Sequence, residues 1–266
     1  MTAPALSIPT PFGRYYAHPA RGRQVPSITN IKNVKGIDGL KWWAAREAAT
    51  YAADNMEKLS HLGREEIITL VKGAPFAKGG SQDNSQAIGN QVHGWIDDYI
   101  KGNSAPPDSQ PAELASAPRT AQNMWRQFMA FVDRYHPRWV DSEFTVWSEQ
   151  YGYAGTADWS AEIGGALVLG DSKTGKSVYP DMRYQLSALA HADFILETDG
   201  TERPLPKFDR YAILHIRPQS ATLVPFSNEA VDAAFAAFLG MLAVFEDDIK
   251  YKDNCVIFAP KVQAAR

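Results

Sequence analysis

Two aspartates and a lysine carry the most specific chemical signal in the chain. Asp158 ends the run Gly-Thr-Ala-Asp, and Asp171 follows 13 residues later at the head of Asp-Ser-Lys, with Lys173 as its lysine. In a strand, residues i and i+2 face the same way, so Asp171 and Lys173 point together. If the two segments form a hairpin, Asp158 comes near Asp171 at one end of a sheet. Two carboxylates and an ammonium there suit a hard divalent cation such as Mg²⁺ or Mn²⁺. Such a cation polarises a phosphoryl oxygen and acidifies water, and the lysine can orient a nucleophile or stabilise developing charge. The same residues also fit a turn-capping aspartate and a solvated Asp/Lys pair at a strand end.

A competing pattern occupies the same ground. Residues 170–177, Gly-Asp-Ser-Lys-Thr-Gly-Lys-Ser, satisfy G-x-x-x-x-G-K-[ST] after an apolar strand. A phosphate-binding loop runs straight into a helix. Here Pro180 follows Lys176 closely and disfavours helix at Tyr179. A nucleotide-binding protein built on this loop is one alternative function, and a non-catalytic nucleic-acid-binding module is another.

These residues need elements to hold them. A Pro-rich stretch at 1–27 predicts an extended arm, and the Ala-rich segment 38–59 predicts a helix. Residues 72–84 read as a loop. Ile88, Val92, Trp95, Ile96 and Tyr99 form an apolar stripe on a helix at 85–100. Residues 101–118 hold four prolines and predict a long loop, followed by a helix at 121–136. The period then becomes that of strands. Segments 142–150, 151–165 and 166–175 predict an antiparallel meander, with Gly164 and Gly165 turning its second hairpin. A helix over 179–197, a strand pair at 209–218 and 221–226 and a helix over 228–250 complete the order. This predicts an α/β or α+β fold with a mixed central sheet flanked by helices. Residues 1–84 form an N-terminal arm and helical lobe, and 85–266 the core.

The motifs together resemble the PD-(D/E)XK nucleases, and more narrowly their RecB-like branch, which includes the CRISPR-associated exonucleases and related phage proteins. The resemblance covers about residues 85–217. It implies a restriction-endonuclease-like core and a metal-dependent deoxyribonuclease, more an exonuclease than a sequence-specific endonuclease. It implies that His93, Asp158 and Asp171 are metal ligands, with the Ser172 carbonyl as a further oxygen. Lys173 would be the catalytic lysine, and Gln185 the glutamine of Q-x-x-x-Y. Glu143 resembles an acidic residue sometimes seen near such sites. The position four after Gln185 is Leu189 rather than tyrosine, so Tyr179 or Tyr184 would have to substitute. Many CRISPR-associated members hold an iron–sulfur cluster on four cysteines. This chain has Cys255 alone, so no such cluster is expected within it.

Composition sets further bounds. With 27 basic and 30 acidic residues the net charge is −3, so a nucleic-acid surface must be a local patch. Residues 14–46 supply one: seven basic residues against Asp38, among them Arg21, Arg23, Lys32, Lys35 and Lys41, with Trp42 beside them. Cations beside aromatics suit single strands or duplex ends, although a solvated basic face over core aromatics reads the same way. The longest uncharged apolar run, 233–245, is 13 residues, and the first 26 residues hold five prolines and no apolar leader. The expectation is a cytoplasmic protein without a membrane partner, in the host cytoplasm if phage-encoded. DNA is the expected partner, with a homo-oligomer or a recombination protein as further possibilities.

Overall fold

The computed structural model describes residues 4–36, 38–76, 81–102 and 110–251. Its centre is a seven-stranded mixed sheet in the order β10-β9-β6-β5-β4-β7-β8. These strands are β4 (Arg138–Ser148), β5 (Tyr153–Ile163), β6 (Ala166–Lys173), β7 (Phe194–Leu196), β8 (Glu202–Pro204), β9 (Arg210–Arg217) and β10 (Ser220–Phe226). The expected antiparallel meander is β4-β5-β6. Gly164 and Gly165 turn its second hairpin at φ 58° and 78°, the double left-handed geometry of a type I′ turn. Among the described strands of this sheet, only β6 and β9 pair in parallel, and α7 (Met182–Ala190) lies in the crossover between them.

Helices cover both faces. On one, Ile28, Ile31, Leu186, Leu189, Phe238 and Leu242 pack over β4, β5, β6 and β9. They come from α1 (Ile28–Lys32), α7 and α8 (Asn228–Tyr251). On the other, Val92, Trp95, Ile96, Met124, Trp125 and Phe128 pack beside Trp159 and Leu214. These come from α5 (Ser81–Lys101) and α6 (Arg119–Tyr135). The helical spacing read from the sequence thus names the buried stripe of α5: Val92, Trp95 and Ile96 are buried, and Ile88 and Tyr99 pack partly buried beside them. The α5 helix begins four residues earlier than the apolar stripe suggests.

The N-terminal arm is not merely extended. Its strands β1 (Ser7–Thr10), β2 (Gly13–Ala17) and β3 (Gln24–Pro26) form an antiparallel sheet. Pro9 and Pro26 both lie in its edge strands, where a missing N–H costs least. Tyr16 and Val25 are buried against Trp147 and Leu196, so the arm is docked on the core. The lobe that follows holds α2 (Asp38–Asp54), α3 (Met56–Leu59) and α4 (Arg64–Gly73). Leu59 is the one buried side chain described on these three helices.

Two further readings change. The helix expected over 179–197 stops at Ala190, and Phe194–Leu196 instead pairs antiparallel with β4. Asp193 makes the break: its carboxylate accepts the Gln150 N–H at 2.9 Å, and its own N–H donates to the Trp147 carbonyl. The α8 helix is, by length and composition, apolar enough to cross a membrane, because an 18-residue window reaches past the uncharged run and has mean hydropathy 1.5. In the fold, its Val231, Ala234, Phe238, Leu242 and Phe245 are buried. Cys255 lies outside the described residues.

Candidate active site

Strand register builds the site. Trp159 pairs with Gly170 across β5 and β6, which sets Asp158 opposite Asp171. Ser142 pairs with Trp159 and Phe144 with Ala157 across β4 and β5, which sets Glu143 opposite Asp158. Three carboxylates therefore form one cross-strand row, on strands about 4.8 Å apart. The close fit of β5 on β6 depends on Gly170, where a Cβ would lie 2.0 Å from the Trp159 ring.

Asp171 is 1% exposed. Its Oδ1 accepts a hydrogen bond from Gln185 Nε2 at 2.8 Å. Its Oδ2 is ion-paired with the Lys173 ammonium, as the i, i+2 spacing allows. Asp158 Oδ2 accepts the Ser172 N–H at 2.8 Å. The Ser172 hydroxyl accepts from Trp159 Nε1 at 3.1 Å, which locks the β5–β6 pair behind the carboxylates.

The opposite helix layer supplies His93. Its Nδ1 stands 3.5 Å from Asp158 Oδ2, too long for a strong hydrogen bond. Gly89, one turn earlier, gives room to Thr174 rather than to His93: a Cβ there would lie 2.8 Å from the Thr174 hydroxyl. One turn later Asp97 accepts from Ser142 Oγ at 2.6 Å and pairs with Lys101 at 2.7 Å, fixing α5 to β4.

Electrostatics follow from burial. Desolvation lowers His93 to about 4, aided by Lys173, so the imidazole is neutral and its lone pair is free at neutral pH. Asp158 and Asp171 are both raised, first by burial. For Asp171 the neighbouring Asp158 adds to the rise, and Lys173 only partly offsets it. Lys173 is also raised, because the two carboxylates outweigh its own desolvation. These directions are compatible: the site holds more negative charge than one ammonium compensates, and that ammonium stays charged. Glu143 reaches about 7, through burial and then Asp158 and Asp97. Its φ of 47° is a left-handed conformation that glutamate rarely takes.

Two buried carboxylates short of positive charge and a neutral imidazole match the donors of a hard divalent cation in kind. They do not yet converge: among the described residues no three His, Cys, Asp or Glu side chains are grouped to hold a metal ion.

The remaining expected residues separate. Arg21 pairs with Glu202 and Glu149, and Arg23 with Glu149, so their charges are already matched where the arm meets the sheet. Lys32 lies against the site, and Lys35 sits over the Tyr184 ring. The Lys41 side chain lies outside what is described, and Trp42 is 79% exposed on α2. Leu189 is a core residue, so no aromatic ring stands at the fourth position after Gln185. The phosphate-loop geometry is not built. Residues Gly170 to Lys173 are strand, the Thr174 and Gly175 carbonyls accept from Arg217, and α7 begins only at Met182. Sequence reasoning did not single out Asp97 or Arg183. Asp97 was within reach, since its i+4 spacing from His93 places both on one face of α5.

No protein-family model matches the chain, and a search of curated proteins finds no match either.

Proposed function

We propose that the chain is a divalent-metal-dependent deoxyribonuclease with a restriction-endonuclease-like PD-(D/E)XK core of the RecB-like kind. One observation carries this reading: β5 and β6 set Asp158 opposite Asp171, and Lys173 and Gln185 both reach the Asp171 carboxylate. His93, Asp158 and Asp171 would hold Mg²⁺ or Mn²⁺, with the Ser172 carbonyl as a further oxygen. The cation would supply Lewis-acid polarisation of the phosphate and a more acidic water.

The chain's own residues do the rest. Lys173 stays protonated, so it acts as a fixed positive charge beside the scissile phosphate and not as a base. Gln185 orients Asp171 through its amide. His93 remains neutral and can donate a lone pair without first losing a proton. The buried β5–β6 pair keeps both aspartates in place. An exonuclease in DNA recombination, repair or degradation is the setting that suits the resemblance, with the helical lobe as one wall of the DNA channel.

A second reading has one observation of its own. The Asp171 oxygens already face Lys173 and Gln185, and the donors do not converge. That would suit a nucleic-acid-binding module that no longer cuts. Single-turnover cleavage of labelled DNA in Mn²⁺ or Mg²⁺, without ATP, separates the two. The nuclease reading expects cleavage that EDTA abolishes and Mn²⁺ restores. It also expects Lys173→Ala to slow cleavage by ~10²-fold or more, the scale of losing a transition-state electrostatic contact. Lys176, exposed beyond the strand, should be nearly silent as Lys176→Ala. Cleavage undiminished in excess EDTA, or a dead Lys176→Ala beside a normal Lys173→Ala, would refute it.

A further inference from the structure

Two cations, Lys35 and Arg183, lie against one tyrosine beside the site, and a third, Lys32, is within electrostatic reach of Lys35 and of Asp171; they come from two segments far apart in sequence. The first is α1 and the turn after it. Ser27 caps α1 by accepting the Asn30 N–H at 3.1 Å. Ile28 and Ile31 are buried with Leu186 and Leu189 of α7. Gly155 lets α1 lie close on β5, since a Cβ there would stand 2.4 Å from Ile28 Cδ1. This seating aims Lys32, at the end of α1, towards the catalytic row. Burial lowers the Lys32 ammonium, and repulsion from Lys173 lowers it further. Asp181 and Asp171 only partly offset this.

The second segment is the first turn of α7. Lys35 Nζ lies 5.3 Å from the centre of the Tyr184 ring, and Arg183 Cζ lies 5.4 Å from the same centre. Arg183 Nε is buried and has no hydrogen-bond partner. Among the described residues, none of Lys32, Lys35 and Arg183 forms an ion pair. Arg21 and Arg23, by contrast, are fully engaged with carboxylates. Tyr184 precedes Gln185, so the cationic group and the Asp171 contact share one helical turn.

We propose that Lys32, Lys35 and Arg183 form a phosphate-binding ledge that holds a second phosphate of the strand being cut. Tyr184 gives two of its charges an aromatic surface. This rests on the nuclease reading above and extends it to the strand flanking the scissile bond. An unpaired Arg Nε and two unpaired ammonium groups would otherwise repel one another in a partly buried site. An anion relieves that repulsion, and the carboxylates close by belong to the catalytic row or lie on the loop at Asp181. A planar guanidinium beside two point charges suits phosphate oxygens. The phosphate could be an internal diester or a terminal monoester.

Two measurements test the ledge separately from hydrolysis. The first is binding of a fluorescent single-stranded oligonucleotide in EDTA across a salt series. The variants are Lys32→Gln, Lys35→Gln, Arg183→Gln and the triple. The exposed Arg126→Gln on α6, in the opposite helix layer, is the control. The triple variant should flatten the slope of log K against log salt by about 0.7, one phosphate contact on a single strand, while the control keeps it. The second is single-turnover cleavage, in Mn²⁺, of strands carrying a neutral methylphosphonate next to the scissile bond, or a 5′-hydroxyl in place of a 5′-phosphate. The substitution that removes the ledge's phosphate should slow the wild type, and the triple variant should lose nothing more on it. Loss with the methylphosphonate identifies an internal diester, and loss with the 5′-hydroxyl a terminal phosphate. Cleavage by the wild type with an unchanged salt slope in the triple variant would overturn the ledge and leave the nuclease standing. No cleavage with a flattened slope would do the reverse. If the triple variant fails to fold, Lys35→Gln, at an exposed position, must flatten the slope alone or the proposal falls.

Discussion

Replacing Glu143 by glutamine should make the stability of the fold less sensitive to pH. Glu143 stands opposite Asp158, and its carboxyl is raised from 4.5 to about 7 by burial, then by Asp158 and Asp97. A carboxyl whose folded value is raised binds its proton more tightly in the folded state than in the unfolded one. Its contribution is therefore fully present below the unfolded value near 4.5. It is lost as pH rises through about 7. The rise from 4.5 to about 7 corresponds to ~3 kcal/mol at most. Glu143 is only partly buried, and solvent screening reduces this to ~1–2 kcal/mol. Glutamine keeps the shape and the strained backbone, so those costs cancel in the comparison. The assay is urea unfolding of both proteins in EDTA at pH 5.5 and pH 8.5. Asp158 and Asp171 are raised as well, so both proteins lose stability with rising pH. The wild type should lose ~1 kcal/mol more than Glu143→Gln across that interval, the rest of the loss falling below pH 5.5. Equal losses in the two proteins would refute the electrostatic account of the row.

Mn²⁺ or Mg²⁺ should raise the melting temperature with the logarithm of its concentration above the dissociation constant, the gain in stability being ~2.7 kcal/mol at a hundred times that constant. Asp171→Asn should remove that shift, and an unshifted wild type would count against the metal site. Gly170→Ala drives a methyl into the Trp159 ring and should cost ~1–3 kcal/mol or more in urea unfolding. A Gly170→Ala protein as stable as the wild type would show that the β5–β6 fit is wrong. Gln185→Ala removes the 2.8 Å bond to Asp171 and should slow cleavage roughly tenfold while leaving oligonucleotide binding in EDTA unchanged. Equal losses in both readouts would make Gln185 a DNA contact instead of a positioning residue.

The sheet that carries the site was legible because its signals are local. The Gly164–Gly165 turn fixes the β5–β6 register, and that register alone sets Asp158 across from Asp171. The apolar stripe of α5 was readable for the same reason: the helix buries one face, and the period shows which. What failed depends on partners distant in the chain. The Phe194–Leu196 stretch continues an apolar pattern that suits a helix, and only pairing with β4 and the Asp193 break make it a strand. The arm is rich in proline, which suggests an unpaired coil. Pro9 and Pro26 fall on edge strands and Pro11 and Pro19 in turns, and that is visible only once β2 is known to lie between β1 and β3.

The site divides along the same line. Lys173 beside Asp171 follows from i, i+2 spacing on one strand. Glu143 does not, because its place in the row needs a second register, across β4 and β5, displaced by a shift between Trp139 and Asp141. With that shift in place, Glu143 falls opposite Asp158, where like charges meet in a half-buried setting and its backbone takes φ 47°. A strained, proton-retaining acid beside two desolvated aspartates is unfavourable for folding alone, since a buried charge without compensation costs several kcal/mol. The basic segment shows the same dependence on pairing. Seven cations between residues 14 and 46 look alike in the sequence, yet the carboxylates of Glu149 and Glu202 meet Arg21 and Arg23, while Lys32 is left near the row and Lys35 over the Tyr184 ring. Which charges remain for a ligand is decided by the pairs the fold makes first. The excess of negative charge in the row and of positive charge on the ledge beside it then ask for opposite counter-ions. A divalent cation and a phosphate strand would supply both at once.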